Sequence, residues 1–206
     1  MTDLAQAWAR SPAALLIFTA FVGVSLLALR RPALIERGVF RPYFFLPRRQ
    51  WGTPLSSAFL HADLAHLAFN GFTFWGFALP LEARIGSARF VALYLTGLAV
   101  SCAGTWWRHH RNPAYSTLGA SGAILAVLFA AIVYTPGASL FVFPLPVPLP
   151  APLFALVYLG YTVWAARQAR GRVNHDAHLG GAVAGLAFVA LTDPQALVAA
   201  LRSLVG

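Results

Sequence analysis

Ser121-Gly122-Ala123-Ile124-Leu125-Ala126-Val127-Leu128-Phe129-Ala130-Ala131-Ile132-Val133-Tyr134 runs without a charge, and its apolar residues are continuous rather than alternating. Alternation would mark a strand with one wet face, whereas an unbroken run of this length reads as a helix with no polar side. Gly119-Ala120 precedes it, so Ser121 is a hydroxyl flanked by glycines at the mouth of the helix. Working outward, comparable runs give six predicted spans, roughly 13–29, 64–81, 90–107, 118–135, 152–166 and 177–192, each near the length that crosses a bilayer. Of 206 residues, 59% are hydrophobic and 10% charged, against about a quarter charged in soluble domains. Lipid must be the solvent, and lipid admits only helices or closed barrels. The expected fold is an all-α polytopic membrane protein, a six-transmembrane-helix bundle forming one domain over residues 1–206. Several spans are short for a core of ~30 Å, which implies tilt or local thinning.

The connections carry their own signals. Residues 30–63 form a long first loop with Arg30, Arg31, Arg37, Arg41, Arg48 and Arg49 set among Phe40, Tyr43, Phe44, Phe45 and Trp51. That mixture predicts a partly embedded loop in contact with membrane lipid. The fourth loop alternates Pro144, Pro146, Pro148, Pro150 and Pro152 with apolar residues, which forbids a continuous helix and predicts a stiff extended connector. Residues 193–206 space Leu197, Leu201 and Leu204 as a short amphipathic tail does. The first span has arginines and no small-x-small motif after it, and reads as a retained helix. The net charge of +9 comes from arginines lying between spans, where headgroup contact explains them better than nucleic acid. The lone Cys102 excludes an intramolecular disulfide.

Polar groups inside apolar helices are costly and need a reason. His66 and Asn70 are four apart and share a helical face. Taken alone they suit hydrogen bonding between helices; beside a nucleophile they suit a developing oxyanion. Glu82 and Arg84 are accounted for by capping and a local ion pair. Gly119 and Gly122 around Ser121 fit either a small-residue packing face or a nucleophile that a substrate backbone approaches closely. His178 opens the sixth span, and Gly181 and Gly185 follow on its own face as a GxxxG pair. The imidazole therefore lies on the face able to pack most tightly against a neighbour. If that neighbour is the fourth helix, a Ser121–His178 hydrogen bond forms. Asp176, two residues from His178, does not share its face and reads as an N-cap, as does Asn174. The expectation is a Ser–His dyad. His66, Ser121 and His178 each follow an odd-numbered loop, so all three sit at one end of a six-span bundle.

HxxxN in the second helix, GxSG at the fourth and AHxxG at the sixth resemble the rhomboid intramembrane serine proteases, as does Leu81-Glu82-Ala83-Arg84-Ile85-Gly86-Ser87. The resemblance covers about residues 51–190 and sets a core of about 51–192. It implies a rhomboid-like bundle with Ser121 as nucleophile and His178 as general base. His66, Asn70 and the Ser121 backbone N–H are the implied oxyanion donors. The implied partners are transmembrane protein substrates cut near their membrane entry, with no metal and no cofactor. The implied setting is a bacterial inner membrane. Two departures stand out: Trp51-Gly52 replaces the family's usual Trp-Arg, and Leu125 replaces a usual Tyr stacked beneath the histidine. A pseudoprotease that binds membrane proteins without cutting them is the alternative within the family. A metalloprotease would need more than His175-Asp176-Ala177-His178, since there is no His-Glu-x-x-His, and His109-His110 read as a solvated loop. Eleven arginines lie in the odd loops and four elsewhere, which by charge alone puts the site in the cytoplasm. The better-known bacterial members of the family open outward. Because six of the eleven belong to the embedded first loop, we expect the outward arrangement here too.

Overall fold

Proline fixes where the chain enters its first long helix. Pro12 lacks the N–H that an N-terminal turn leaves unpaired anyway, and α1 runs Pro12–Arg30. The computed structural model describes residues 6, 8–141, 147–168 and 173–203. The first loop that follows is not irregular. It folds into three short helices, α2 (Pro32–Gly38), α3 (Pro42–Phe45) and α4 (Thr53–Ser57), each with proline in its first turn. Arg48 lies over the Phe44 ring at 3.8 Å, the contact that aromatics interleaved with arginine allow.

Asp63 opens α5 (Leu64–Ile85) by accepting from the His66 N–H at 2.8 Å. α5 ends at Gly86, whose φ of 81° only glycine adopts cheaply, and α6 (Ser87–His109) starts at once. Glu82, buried near the end of α5, accepts from the backbone N–H groups of Ala13 (3.0 Å) and Ala14 (2.6 Å) and from Ser87 Oγ (2.6 Å). It therefore caps α1 across the bundle. The expected local pair with Arg84 is replaced: Arg84 lies over the Tyr134 ring at 5.1 Å. Glu82 is committed to the helix N-terminus, where a carboxylate meets free amides and the positive end of the dipole.

The quoted stretch is α7 (Ser121–Tyr134), and every residue from Gly122 to Val133 is buried. A helix apolar all round belongs in the middle, and the remaining long helices α8 (Ala151–Gln168) and α9 (His175–Thr192) pack on it with α5 and α6. Between α7 and α8 the polyproline expectation is corrected in part. Pro148–Pro150 is extended, but as strand β2 paired antiparallel with β1 (Ser139–Phe141), and Pro152 already lies in the first turn of α8. Both strands of a two-stranded ribbon are edges, where proline's missing donor is tolerated. Pro144 and Pro146 lie outside the described residues. Asp193 closes α9 and caps α10 (Pro194–Arg202) by accepting from Ala196 N–H at 3.2 Å, turning the chain by 109°. Leu204 of the expected tail lies outside the described residues.

Helices therefore stand at all six predicted positions. By length and apolarity alone α1 and α6 qualify as spans, with α9 and α10 as a bent third.

Candidate active site

Two glycines of α9 decide how closely it approaches α7. A Cβ at Gly181 would fall on the carbonyl of Gly122, and one at Gly185 on the carbonyl of Ala126. A Cβ at Gly122 would in turn strike Ser101 of α6. Two backbones in contact leave the side chains at their ends facing each other: His178 Nε2 lies 2.8 Å from Ser121 Oγ. Gly119 does something different from what the small-residue reading supposed. It precedes α7, holds φ 121°, and a Cβ there would meet His66 Cε1 at 2.8 Å. It packs against a side chain, not a helix.

The loop carrying Ser121 is strapped from several directions. Phe40 and Thr117 exchange backbone hydrogen bonds at 3.0 and 2.9 Å, and the Gly119 N–H donates to the Ser57 carbonyl at 2.9 Å. Asn174 caps α9 through its carbonyl oxygen, accepting from Ala177 N–H at 3.0 Å. Its amide nitrogen donates to Thr105 Oγ1 (3.0 Å) and Thr117 Oγ1 (3.2 Å). One side chain thus ties the histidine helix, α6 and the serine loop together. Asp176 is not a second cap. Its carboxylate accepts from His109 Nε2 at 2.9 Å and lies 3.9 Å from Arg108. His109, expected in a solvated loop, ends α6 and stacks on Tyr115 at 3.6 Å between centroids. Burial, and then the Asp176 charge, push the Tyr115 phenol up to about 12.

His66 and Asn70 line the same cavity as Ser121 and His178, a space of about 1010 Å³. Asn70 is buried and donates from Nδ2 to the His66 carbonyl at 3.2 Å. Behind His66 stands His61, fully buried, with ring centroids 4.9 Å apart and an interplanar angle of 71°. The Ser25 hydroxyl donates to the Phe59 carbonyl (2.9 Å), so His61 Nδ1–H donates to Ser25 Oγ (2.8 Å). Burial foremost, with His66 beside it and Asp63 opposing, pushes the His61 imidazole down to about 3. His61 is a neutral wedge that holds the His66 ring. Sequence reasoning passed over it because nothing in the primary structure says which loop histidine folds inward.

The cavity is walled by α5 on one side and α8 on the other, with α7 as its floor. α5 and α8 both pack on α7, and loop residues 114–118 and 173–174 complete the lining. Phe69, Thr73 and Phe77 of α5, Leu128 of α7, and Phe154 and Tyr158 of α8 line it. Tyr158 is the second residue that sequence reasoning missed: its hydroxyl lies 3.0 Å from His178 Nδ1.

The rhomboid domain profile matches residues 48–194. The chain belongs to the rhomboid family. It is 30% identical over 137 residues to the protein named Rhomboid protein 1, mitochondrial, of Saccharomyces cerevisiae, covering 65% of this chain and 40% of that one. It is 32% identical over 135 residues to Presenilin-associated rhomboid-like protein A, mitochondrial, of Danio rerio, covering 65% and 35%. Rhomboid protease GluP of Bacillus subtilis is 30% identical over 148 residues, covering 71% of this chain and 27% of that protein. The matched region is thus less than half of each of these relatives. This rhomboid chain is an integral membrane protein, and its kinship with mitochondrial relatives weakens the expectation of a bacterial inner membrane.

Proposed function

We propose that this rhomboid protein is an intramembrane serine endopeptidase that cuts transmembrane helices of other proteins. The observation that carries the reading is the 2.8 Å hydrogen bond between Ser121 Oγ and His178 Nε2 at the wall of a cavity that His66 and Asn70 also line. His178 Nε2 takes the Ser121 proton as Oγ attacks a peptide carbonyl, and later delivers it to the leaving amine. Water then repeats the sequence on the acyl-enzyme. Ser121 is the first residue of α7, so its N–H belongs to a first turn with no intrahelical partner. That N–H, His66 and Asn70 border the same space and serve the oxyanion. A substrate helix must unwind to present a carbonyl, so glycine or proline near the cut and a small residue at it are the preferred features. The six long helices all cross the membrane, the odd loops share one side, and the site opens outward.

Two results test this. In liposomes, cleavage of a single-span substrate by the wild type and its loss in Ser121→Ala support the protease. A wild type that binds the substrate without cutting it returns the pseudoprotease. Asn70→Ala is expected to lower kcat by roughly 10²–10³-fold with KM nearly unchanged, because an oxyanion donor acts on the transition state. Steady-state kinetics decide it; a pure KM effect would make Asn70 a binding or structural residue.

A further inference from the structure

A histidine that takes a proton at Nε2 must already hold one at Nδ1, and something has to keep it there. The nearest carboxylate in sequence, Asp176, is occupied by His109 and Arg108. Leu125, where the family's usual Tyr would stand beneath the imidazole, sits instead in an apolar cluster with Leu128, Phe129 and Ala182. The group that meets Nδ1 comes from a different helix: Tyr158 of α8, at 3.0 Å.

Its placement is built rather than incidental. The Tyr158 ring stacks on Phe154, one turn earlier in α8, at 5.4 Å and 28°. It also lies 6.0 Å from Phe129 of α7, which is fully buried. A second pair repeats the contact nearly one turn along. Tyr161 meets His175 edge to face at 5.6 Å and 87°. Moving three residues forward on α8 while moving three back on α9 is the register of two antiparallel helices. The ladder therefore fixes which α8 residue stands opposite His178.

We infer that Tyr158 is the positioning residue of the catalytic histidine, the third member of a Ser121–His178–Tyr158 relay in which a neutral phenol does the orienting. The inference rests on the protease reading given above. Tyr158 Oη accepts from Nδ1–H, holds the imidazole in the tautomer whose Nε2 lone pair faces Ser121, and stops the ring from turning toward the cavity. Being uncharged, it orients the base without supplying a counter-ion. It also stands on the helix that forms one wall of the cavity, so the base is ordered only when α8 is in place.

Tyr158→Phe keeps the ring and its stacking and removes only the acceptor. The rate of Ser121 labelling by a fluorophosphonate and kcat for a transmembrane substrate are each expected to fall about tenfold, the size of one neutral hydrogen bond. KM and Tm should stay as in the wild type. The ¹⁵N spectrum of His178 in detergent supplies a readout that needs no activity: Nδ1–H in the wild type, a mixture with Nε2–H in Tyr158→Phe. Wild-type labelling with an unchanged tautomer in Tyr158→Phe would overturn the inference and leave the protease reading standing. So would a fall in Tm with no change of tautomer, which would make Tyr158 a packing residue. A wild type that takes no label would overturn the protease reading and with it the relay.

Discussion

His178→Ala is expected to lower proteolysis by roughly 10⁴-fold, the upper range for a positioned general base, with the bundle still folded. The Ser121 hydroxyl has no other basic nitrogen within hydrogen-bond distance among the described residues, so without the imidazole its proton has no acceptor when attack begins. The fold should tolerate the change, because His178 is only half-buried and borders existing open space. The close contact of α7 and α9 depends on Gly181 and Gly185, not on the imidazole. Cleavage rate and Tm, measured side by side with wild type, check both halves. Full retained proteolysis would remove His178 from the mechanism.

Gly181→Ala is expected to lose activity and stability together. The sequence shows only that Gly181 and Gly185 lie on the face able to pack most tightly. The structure sets the limit, because even a Cβ would land on the Gly122 carbonyl, and backbone cannot rotate out of the way as a side chain can. Forcing it in costs about 1–3 kcal/mol as overpacking. The displacement then passes directly to the site, since Gly122 adjoins Ser121 and Gly181 lies a turn from His178. A misplacement of 1 Å costs roughly 10²-fold in rate. Gly76→Ala in α5 is the control, because a Cβ there meets nothing within 4 Å; it should leave the rate unchanged and should not lower Tm, since alanine favours a helix interior over glycine. Normal cleavage and an unchanged melting temperature in Gly181→Ala would break the link between helix contact and dyad geometry.

Much of this geometry was legible because it rests on local features that a sequence displays. Continuous apolar runs placed the long helices to within a few residues, and glycines on the face of His178 marked the face able to come close to a neighbour without saying which helix that neighbour is. The serine–imidazole contact was expected on the condition that this neighbour is the helix of Ser121, a pairing that the rhomboid resemblance implied. What stayed hidden depends on long-range choices. Tyr158 looks like any aromatic on an apolar helix until the register of α8 against α9 is known. Asp176 had the composition of a cap, but Asn174 already fills that role, and the carboxylate is drawn away by His109 and Arg108. His109 looked solvated beside its arginines, yet the ring of Tyr115 covers it. The alternating prolines announce an extended connector but not its pairing, which a two-stranded ribbon accepts because both of its strands are edges.

The central claim is that Ser121 is a nucleophile activated by His178, and it can be measured without knowing a substrate. Purified protein in detergent, exposed to a fluorophosphonate and mapped by mass spectrometry, should carry the phosphonyl group on Ser121. Ser121→Ala should take none, and His178→Ala should label only at the rate of an unactivated serine. Absence of label from the folded wild-type protein, or equal labelling of wild type and His178→Ala, would contradict the account.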